Sequence, residues 1–155
     1  MAHLSAPALD YRQRKQALLN GWRHTALSTR GVHGALRQLA ELTDDTLRAL
    51  WRQAGLGAGC ALLAVGGYGR AELFPHSDVD VLLLLPPGAD PAADAPLRER
   101  IEAFIGHCWD TGLEIGASVR TAPECLRVAA GDITVQTALL EARRITGSAA
   151  LFGEF

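Results

Sequence analysis

Hydrophobic residues recur at two different spacings along this chain, and the change from one to the other marks two regions. Up to residue 54 the apolar positions lie three and four residues apart, as they do on one face of a helix. After a glycine-rich break over residues 55–59 they form short continuous runs, which are typical of buried strands. The pattern predicts an N-terminal helical extension over residues 1–54 and an α+β core over residues 55–155.

Three strands and one long helix are predicted first within the core. Residues 60–65 and 81–85 are apolar runs, which predict strands over 60–65 and 78–85. Residues 113–121 alternate between apolar and polar positions and predict a third strand. A stripe of apolar residues at helical spacing predicts a helix over residues 95–110, between the second and third strands.

Capping residues predict where several helices begin. Thr43, followed by Asp44, indicates a helix start inside the extension, because hydroxyl and acidic side chains accept bonds from free N–H groups there. Thr121 begins a capping box with proline in the first turn, which predicts a short helix. Asp132 is expected to cap a last helix over residues 133–144.

Composition excludes the disordered and membrane-spanning classes. With 155 residues, of which 48% are hydrophobic and 21% charged, the chain is able to bury a core. Its apolar runs are far shorter than the roughly 18 residues of a membrane-spanning helix, so we expect no membrane partner. The sequence does not open with a basic segment followed by an apolar one, so we expect no secretory signal and a cytoplasmic location.

Cysteine spacing and charge exclude further classes of site. The three cysteines are odd in number and form no Cys-x-x-Cys pair, which argues against a disulfide framework or a zinc site and favours buried thiols. The basic residues of the first half form no dense patch interleaved with aromatic residues, so we expect no nucleic-acid partner. The cysteines are Cys60, Cys108 and Cys125, and the tryptophans expected to pack in the core or between helices are Trp22, Trp51 and Trp109.

Two aspartates open the second predicted strand. Asp78 and Asp80 are two residues apart, so on a strand both carboxylates lie on one face, about 7 Å apart, while Val79 and Val81 enter the core. Their mutual repulsion is on the order of 2 kcal/mol at an effective dielectric near 20, and a bridging cation removes it. Oxygen ligands suit Mg²⁺ or Mn²⁺, and such ions serve displacement reactions at phosphorus. The pair therefore predicts a divalent metal site.

A glycine pair directly follows the first predicted strand. Gly66 and Gly67 allow the backbone to approach a phosphate closely, and a short helix expected over residues 68–73 presents N–H groups to an anion. Arg70 and Ser77 are candidate further donors to the phosphates. The loop is therefore a candidate cradle for a nucleoside triphosphate.

Other residues near the loop have open roles. Tyr68 either stacks on a base or packs against the strand. Glu72 is either a surface residue or a partner of Arg70, and His76 is either an exposed loop residue or an assistant to the chemistry.

These motifs carry a resemblance to a known family. A hydrophobic strand, a Gly-Gly loop and a later Asp-x-Asp resemble the DNA polymerase β-like nucleotidyltransferase superfamily. The longer string GGYGRAELFPHSDVDVLLLL is similar to the N-terminal nucleotidyltransferase domain of the bifunctional PII uridylyltransferase/uridylyl-removing enzymes. Further similar segments lie at residues 109–110, 112–116, 118–121, 124–126 and 132–135.

The resemblance implies a fold and a reaction. It implies a polymerase β-like core, α+β, with a small mixed sheet flanked by helices. Asp78 and Asp80 are then expected to hold Mg²⁺, while Gly66, Gly67 and Ser77 meet the phosphates of UTP. A tyrosine hydroxyl of the nitrogen-regulatory PII protein is expected to attack the α-phosphorus and release pyrophosphate.

The superfamily usually adds a third carboxylate from the next strand, and this sequence departs from that pattern. Gly116 occupies the position that aligns with the usual aspartate. Glu114 lies two residues earlier on the same predicted face and is the candidate substitute. Asp132 is the reserve candidate, although a helix cap is its simpler role.

Three alternatives concern the reaction itself. In the first, the acceptor is a small molecule or a protein other than PII. In the second, the nucleotide is ATP and not UTP. In the third, the chain is a regulatory module that binds nucleotide without turnover. The sequence holds no His-Asp pair of a hydrolase domain, so uridylyl removal is not expected of these residues. The final SAALFGEF stops as though within an element, so the core is expected to be truncated at its C-terminus.

Overall fold

The computed structural model describes residues 6–22, 29–57, 59–73 and 78–153. Within these residues the chain forms seven helices and four strands. In chain order they are α1 (Ala6–Trp22), α2 (Thr29–Gln53), β1 (Ala61–Ala64), α3 (Gly66–Gly69), β2 (Val79–Leu85), α4 (Ala95–Thr111), β3 (Ile115–Thr121), α5 (Ala122–Gly131), α6 (Ile133–Leu140), β4 (Arg143–Gly147) and α7 (Ala149–Gly153).

The four strands form one mixed sheet in the order β3-β2-β1-β4. β1 is antiparallel to both β2 and β4, while β2 and β3 are parallel, with α4 as the connection between them. A parallel pair needs such a crossover, because its two strands start at the same edge of the sheet. The predicted α+β class, a small mixed sheet flanked by helices, is confirmed.

Both faces of the sheet are covered, which explains why its central strands are continuously apolar. Val81, Leu83 and Leu85 of β2 enter the larger core, which is formed with α1, α2 and α4. Leu82 and Leu84 enter a smaller core on the opposite face, together with residues of α5 and α7. β2 is therefore fixed from both sides along most of its length.

The helix start expected at Thr43 is wrong, because α2 runs unbroken through that position. Thr43 is buried, and its hydroxyl donates to the carbonyl of Leu39 at 2.8 Å, one turn back along the same helix. The apolar stripe continues past it, and Leu47 and Leu50 lie in the same core as β1 and β2. The division at residue 54 stays a prediction, but the helices before it share the core of the sheet.

The last predicted helix extends too far. It was expected over residues 133–144, yet α6 ends at Leu140, and β4 pairs with β1. The physical reason is tertiary, since β1 is fully buried and its outer edge needs a partner for its backbone groups. The two capping predictions on this side of the chain are confirmed, because Thr121 forms a complete capping box and the Asp132 carboxylate accepts from Thr134 and Val135.

Aromatic packing follows the inward face of α4. Phe104 is fully buried and meets Trp51 edge to face, with ring centroids 5.4 Å apart. Trp109 is 55% exposed, so the expectation that it packs in the core is wrong. It lies one residue after Cys108, and one residue turns the side chain about 100° away from the inward stripe. The three cysteines are buried, as expected.

None of the helices that the structure describes combines the length and the apolar character that crossing a bilayer requires.

Replacing Phe104 with alanine is expected to lower the free energy of unfolding by about 3–5 kcal/mol, because it removes a fully buried ring from the core. Trp109→Ala on the same helix is the matched control, with an expected change within about 0.5 kcal/mol, because that ring is largely exposed. Urea denaturation followed by circular dichroism measures both values. Equal losses in the two variants contradict this packing.

Candidate active site

Asp78 and Asp80 lie where β2 begins and where the smaller core ends. Val79 and Val81 are buried, whereas both aspartates are exposed, as the alternation of a strand requires. Asp80 shares the face of Leu82, one position before the apolar part of that face starts. A cavity of about 410 Å³ lies at this edge of the sheet. Its lining residues are Gly67, Tyr68, Arg70, Glu72, Leu73, Asp78 and Asp80.

The glycine turn meets the aspartates because β1 and β2 are antiparallel. Ala64 at the end of β1 is opposite Val81, and the N–H of Val65 donates to the carbonyl of Asp80 at 3.1 Å. The residue after Val65 is Gly66, where an added Cβ would lie 3.6 Å from Oδ2 of Asp80. The end of one strand and the start of the next therefore place the diglycine backbone against a carboxylate.

The turn itself is shorter and earlier than predicted. A helix was expected over residues 68–73, but the helical turn α3 occupies Gly66–Gly69, so this expectation is wrong. The N–H groups of Gly69 and Arg70 donate to the carbonyls of Val65 and Gly66, which closes the turn directly behind the strand. Ala71 has a φ of 58°, a left-handed conformation that takes the chain out of the turn.

The charge of Asp80 is disfavoured by its surroundings. Asp80 is exposed, but the part of its carboxyl that lies against the protein is desolvated, which raises its pKa, and the nearby Asp78 carboxylate raises it further. A cation between them reverses the second effect, and hard oxygen donors are what Mg²⁺ accepts. The pair therefore fits a divalent cation by its donor chemistry. Within the described part of the chain, no three acidic, histidine or cysteine side chains are grouped so as to hold a metal ion.

The third strand brings a glycine, not an acid, to the side of Asp80. The parallel register pairs Asp80 with Gly116, where an added Cβ would lie only 2.8 Å from Oδ1 of Asp80. Glu114 precedes β3 by one residue, and its carbonyl accepts from the N–H of Val79 at 2.9 Å. Its backbone therefore adjoins the Asp78 segment, but its side chain is not among those that line the cavity. Its catalytic role stays a prediction.

Arg70 lines the cavity and is held by two carboxylates. Its Nε donates to Glu72 at 3.4 Å, and its Nη1 forms a short ion pair with Glu141. The Glu72 contact is one of the two roles that the sequence left open. Glu141 was missed, because the helix was expected to run past it. A guanidinium has five N–H donors, so these contacts leave others for a phosphate.

Tyr68 is buried, which decides between its two predicted roles. It is 2% exposed, and its hydroxyl donates to Oδ1 of Asp44 at 2.5 Å. Burial and the neighbouring Asp44 raise its pKa well above the usual value, so the hydroxyl keeps the proton that it donates. Arg143 lies over the ring, 5.4 Å from its centroid. Tyr68 therefore packs inside the protein and presents no free ring to a base.

Two of the remaining candidates, Ser77 and His76, lie outside the described residues. Asp132, the reserve third carboxylate, has its side chain engaged as the cap of α6. Sequence reasoning missed Asp44 and Arg143, because their neighbours in the chain give no sign that they meet Tyr68.

The chain matches no protein-family model, but it is strongly similar to individual proteins. It is 53% identical over 146 residues to the bifunctional uridylyltransferase/uridylyl-removing enzyme of Burkholderia orbicola (strain AU 1054), which covers 94% of this chain and 16% of that enzyme. The enzyme of the same name from Burkholderia mallei (strain SAVP1) is 57% identical over 128 residues, covering 83% of this chain and 14% of the relative. The chain thus spans about one sixth of the length of these relatives.

The turn is expected to tolerate no side chain at Gly69. A Cβ there would lie 2.2 Å from the carbonyl oxygen of Glu141, so Gly69→Ala must push α3 away from that carbonyl. We expect the free energy of unfolding to fall by about 1–3 kcal/mol, the usual effect of overpacking.

Gly106→Ala is the matched control, because an added Cβ on this exposed part of α4 meets nothing within 4 Å. It is expected to raise stability by roughly 0.5–1 kcal/mol, since alanine favours a helix interior over glycine. Thermal unfolding of both variants by calorimetry measures the difference. A Gly69→Ala variant as stable as the parent contradicts the close approach of the turn to Glu141.

Proposed function

Because this chain is a relative of the bifunctional uridylyltransferase/uridylyl-removing enzymes and matches about one sixth of their length, we propose that it is a nucleotidyltransferase domain. Its proposed reaction transfers UMP from UTP to a tyrosine of the nitrogen-regulatory PII protein and releases pyrophosphate. The observation that supports it most is a single cavity lined by Asp78, Asp80 and the backbone of Gly67.

Asp78 and Asp80 are the proposed ligands of Mg²⁺, with Mn²⁺ as an alternative. When bound, the ion would neutralise charge on the phosphates and orient them. Val79 and Val81 are buried on the opposite face of the strand, so they hold the direction of both carboxylates. Burial of the two valines therefore keeps both aspartates on the same face of the strand.

The glycine turn and Arg70 are the proposed partners of the triphosphate. Gly66 and Gly67 carry no side chains, so their backbone is open to a phosphate that approaches the aspartates. Arg70 lines the same cavity. Ser77, which directly precedes Asp78 in the sequence, is a proposed further donor. If the glycine turn and Arg70 bind the phosphates, the α-phosphorus would lie next to Asp78 and Asp80.

The acceptor is the proposed tyrosine hydroxyl of PII. Its oxygen forms a bond to the α-phosphorus while the bond from that phosphorus to pyrophosphate breaks, and the hydroxyl proton is released. Such a reaction depends on positioning and on neutralising charge, more than on a covalent role for the protein. The two aspartates and the turn supply these functions.

Glu114 is the proposed third carboxylate. It lies one residue before Ile115, and Asp78 lies one residue before Val79, to which Ile115 is paired in the parallel register. The two acids therefore occupy matching positions at the start of neighbouring strands. An added Cβ at Gly116 would lie 2.8 Å from Oδ1 of Asp80, so an acidic side chain on this strand is proposed at position 114 and not at position 116.

A second candidate function is nucleotide binding without turnover. One observation favours it, namely that Glu72, the third acidic residue of the cavity lining, pairs with Arg70, and no three acidic side chains of the described residues are grouped so as to hold a metal ion. Two further alternatives are transfer to an acceptor other than PII and transfer from ATP in place of UTP. The labelling assay described next distinguishes both from the proposed reaction.

Asp78→Asn and Asp80→Asn are expected to lower the transfer of label from [α-³²P]UTP to PII by about 100-fold or more, because each removes a metal ligand worth several kcal/mol in the transition state. Asp110→Asn is the matched control, since this exposed aspartate lies on α4, outside the cavity lining. Its rate should equal that of the parent. Unchanged labelling in both site variants contradicts the mechanism. If labelled ATP replaces labelled UTP and only ATP labels the acceptor, the nucleotide substrate is ATP and not UTP.

Glu114→Gln is expected to lower the rate of pyrophosphate release while the calorimetric affinity for UTP with Mg²⁺ changes little, because a third carboxylate acts mainly on the transition state. Glu99→Gln on the exposed side of α4 is the control. A parent chain that binds UTP and releases no pyrophosphate supports the regulatory module instead. A Glu114→Gln variant with full activity shows that Glu114 is not the third carboxylate of the site.

A further inference from the structure

Three residues distant in the sequence meet behind the glycine turn. Asp44 of α2 accepts the hydroxyl of Tyr68 on Oδ1 at 2.5 Å. Arg143 of β4 donates to both oxygens of the same carboxylate, at 2.6 Å and 3.2 Å. The carboxylate is almost fully buried, with 9% of the Asp44 side chain exposed. We refer to Asp44, Tyr68 and Arg143 as the tyrosine clamp.

The clamp grips Tyr68 at three points. Asp44 holds the hydroxyl, the Arg143 guanidinium lies over the ring, and Nη2 of Arg143 also donates to the Tyr68 carbonyl at 3.2 Å. The carbonyl belongs to the backbone of α3 itself. Side chain and main chain of one residue are therefore fixed by the same pair of partners.

The turn depends on contacts of this kind because it has little stability of its own. Four residues are far below the length at which a helix persists alone, and glycine further disfavours helical backbone. The sequence of α3 is Gly-Gly-Tyr-Gly, so Tyr68 is its only residue with a side chain. Any anchoring of α3 through a side chain must pass through Tyr68.

We propose that Asp44 and Arg143 are positioning residues that act through Tyr68. They hold Gly66 and Gly67 in the conformation that binds the phosphates of the nucleoside triphosphate. This inference rests on the proposed function, and it adds to the site two residues outside the glycine and aspartate motifs. Preorganisation of a binding backbone raises affinity by reducing the ordering that binding requires. The tyrosine clamp preorganises the turn through its contacts with Tyr68.

A purely structural role makes a different prediction. Asp44 and Arg143 also connect α2 to β4, so their loss loosens that contact whether or not the turn matters. The structure offers an internal control, because Arg48 of α2 donates from Nε to the carbonyl of Ile145 in β4 at 3.0 Å. That bond connects the same two elements without contacting Tyr68.

The test compares Tyr68→Phe, Asp44→Asn and Asp44→Ala with Arg48→Gln in the 155-residue chain. Tyr68→Phe removes one oxygen atom and keeps the ring in place, so it stays informative if an Asp44 variant fails to fold. Two quantities are measured, the calorimetric dissociation constant of UTP with Mg²⁺ and the hydrogen exchange of the amides of Gly69 and Arg70, which close the turn.

We expect Tyr68→Phe and Asp44→Ala to weaken UTP binding roughly 10- to 100-fold, as the loss of a group that orients a binding residue does elsewhere. The Gly69 and Arg70 amides should exchange faster, while amides in the pairing of β1 with β2 are unchanged. Asp44→Asn should be the milder variant, because its amide oxygen still accepts the tyrosine hydroxyl. Arg48→Gln should leave both quantities at the parent values.

Turn amides with parental exchange rates in Tyr68→Phe and, where it folds, in Asp44→Ala overturn the inference. So does a weakening of UTP binding by Arg48→Gln as large as that by Tyr68→Phe, since the effect then follows the contact between α2 and β4. If the parent chain does not bind UTP, the proposed function fails and with it the nucleotide part of the inference. The exchange data still report independently whether the clamp orders the turn.

Discussion

Two like charges are held close together at the start of β2, and the rest of the site is built around that constraint. The pKa of Asp80 is raised by burial and by Asp78, so the folded chain holds this carboxylate in surroundings that disfavour its charge. Such an unfavourable pair of charges persists only where the surrounding structure holds both groups in place. Here β2 holds them in place, because it is paired on both edges and its residues from Val81 to Leu85 are buried.

Two glycines lie beside the Asp80 carboxylate. Gly66, in the turn after β1, and Gly116, in β3, each bring backbone without a side chain next to one of its oxygens. A side chain at position 116 would contact that oxygen directly. The backbone at Gly66 carries no side chain that would cover Asp80, and the ligand that relieves repulsion between carboxylates is a cation. Metal binding and the approach of phosphate are two consequences of one arrangement.

Sequence reasoning succeeded where the signal was local. The alternation around Asp80, the capping box at Thr121 and the crossover helix α4 depend on near neighbours, and each was predicted within a few residues. It failed where tertiary pairing decided the outcome. β4 forms because the buried edge of β1 needs a partner, and Asp44 was expected in the first turn of a helix although it lies in the middle of α2. No local pattern indicates that such a residue meets a tyrosine and an arginine from two other elements.

A crystal structure of the chain with Mn²⁺ and a non-hydrolysable UTP analogue measures the central claim most directly. The anomalous signal of the metal is expected between the carboxylates of Asp78 and Asp80, with the phosphates of the analogue against the backbone of Gly66 and Gly67. A metal bound elsewhere, or phosphates that contact neither the metal nor the glycine turn, would contradict the claim that this pair of aspartates and this turn form one nucleotide site.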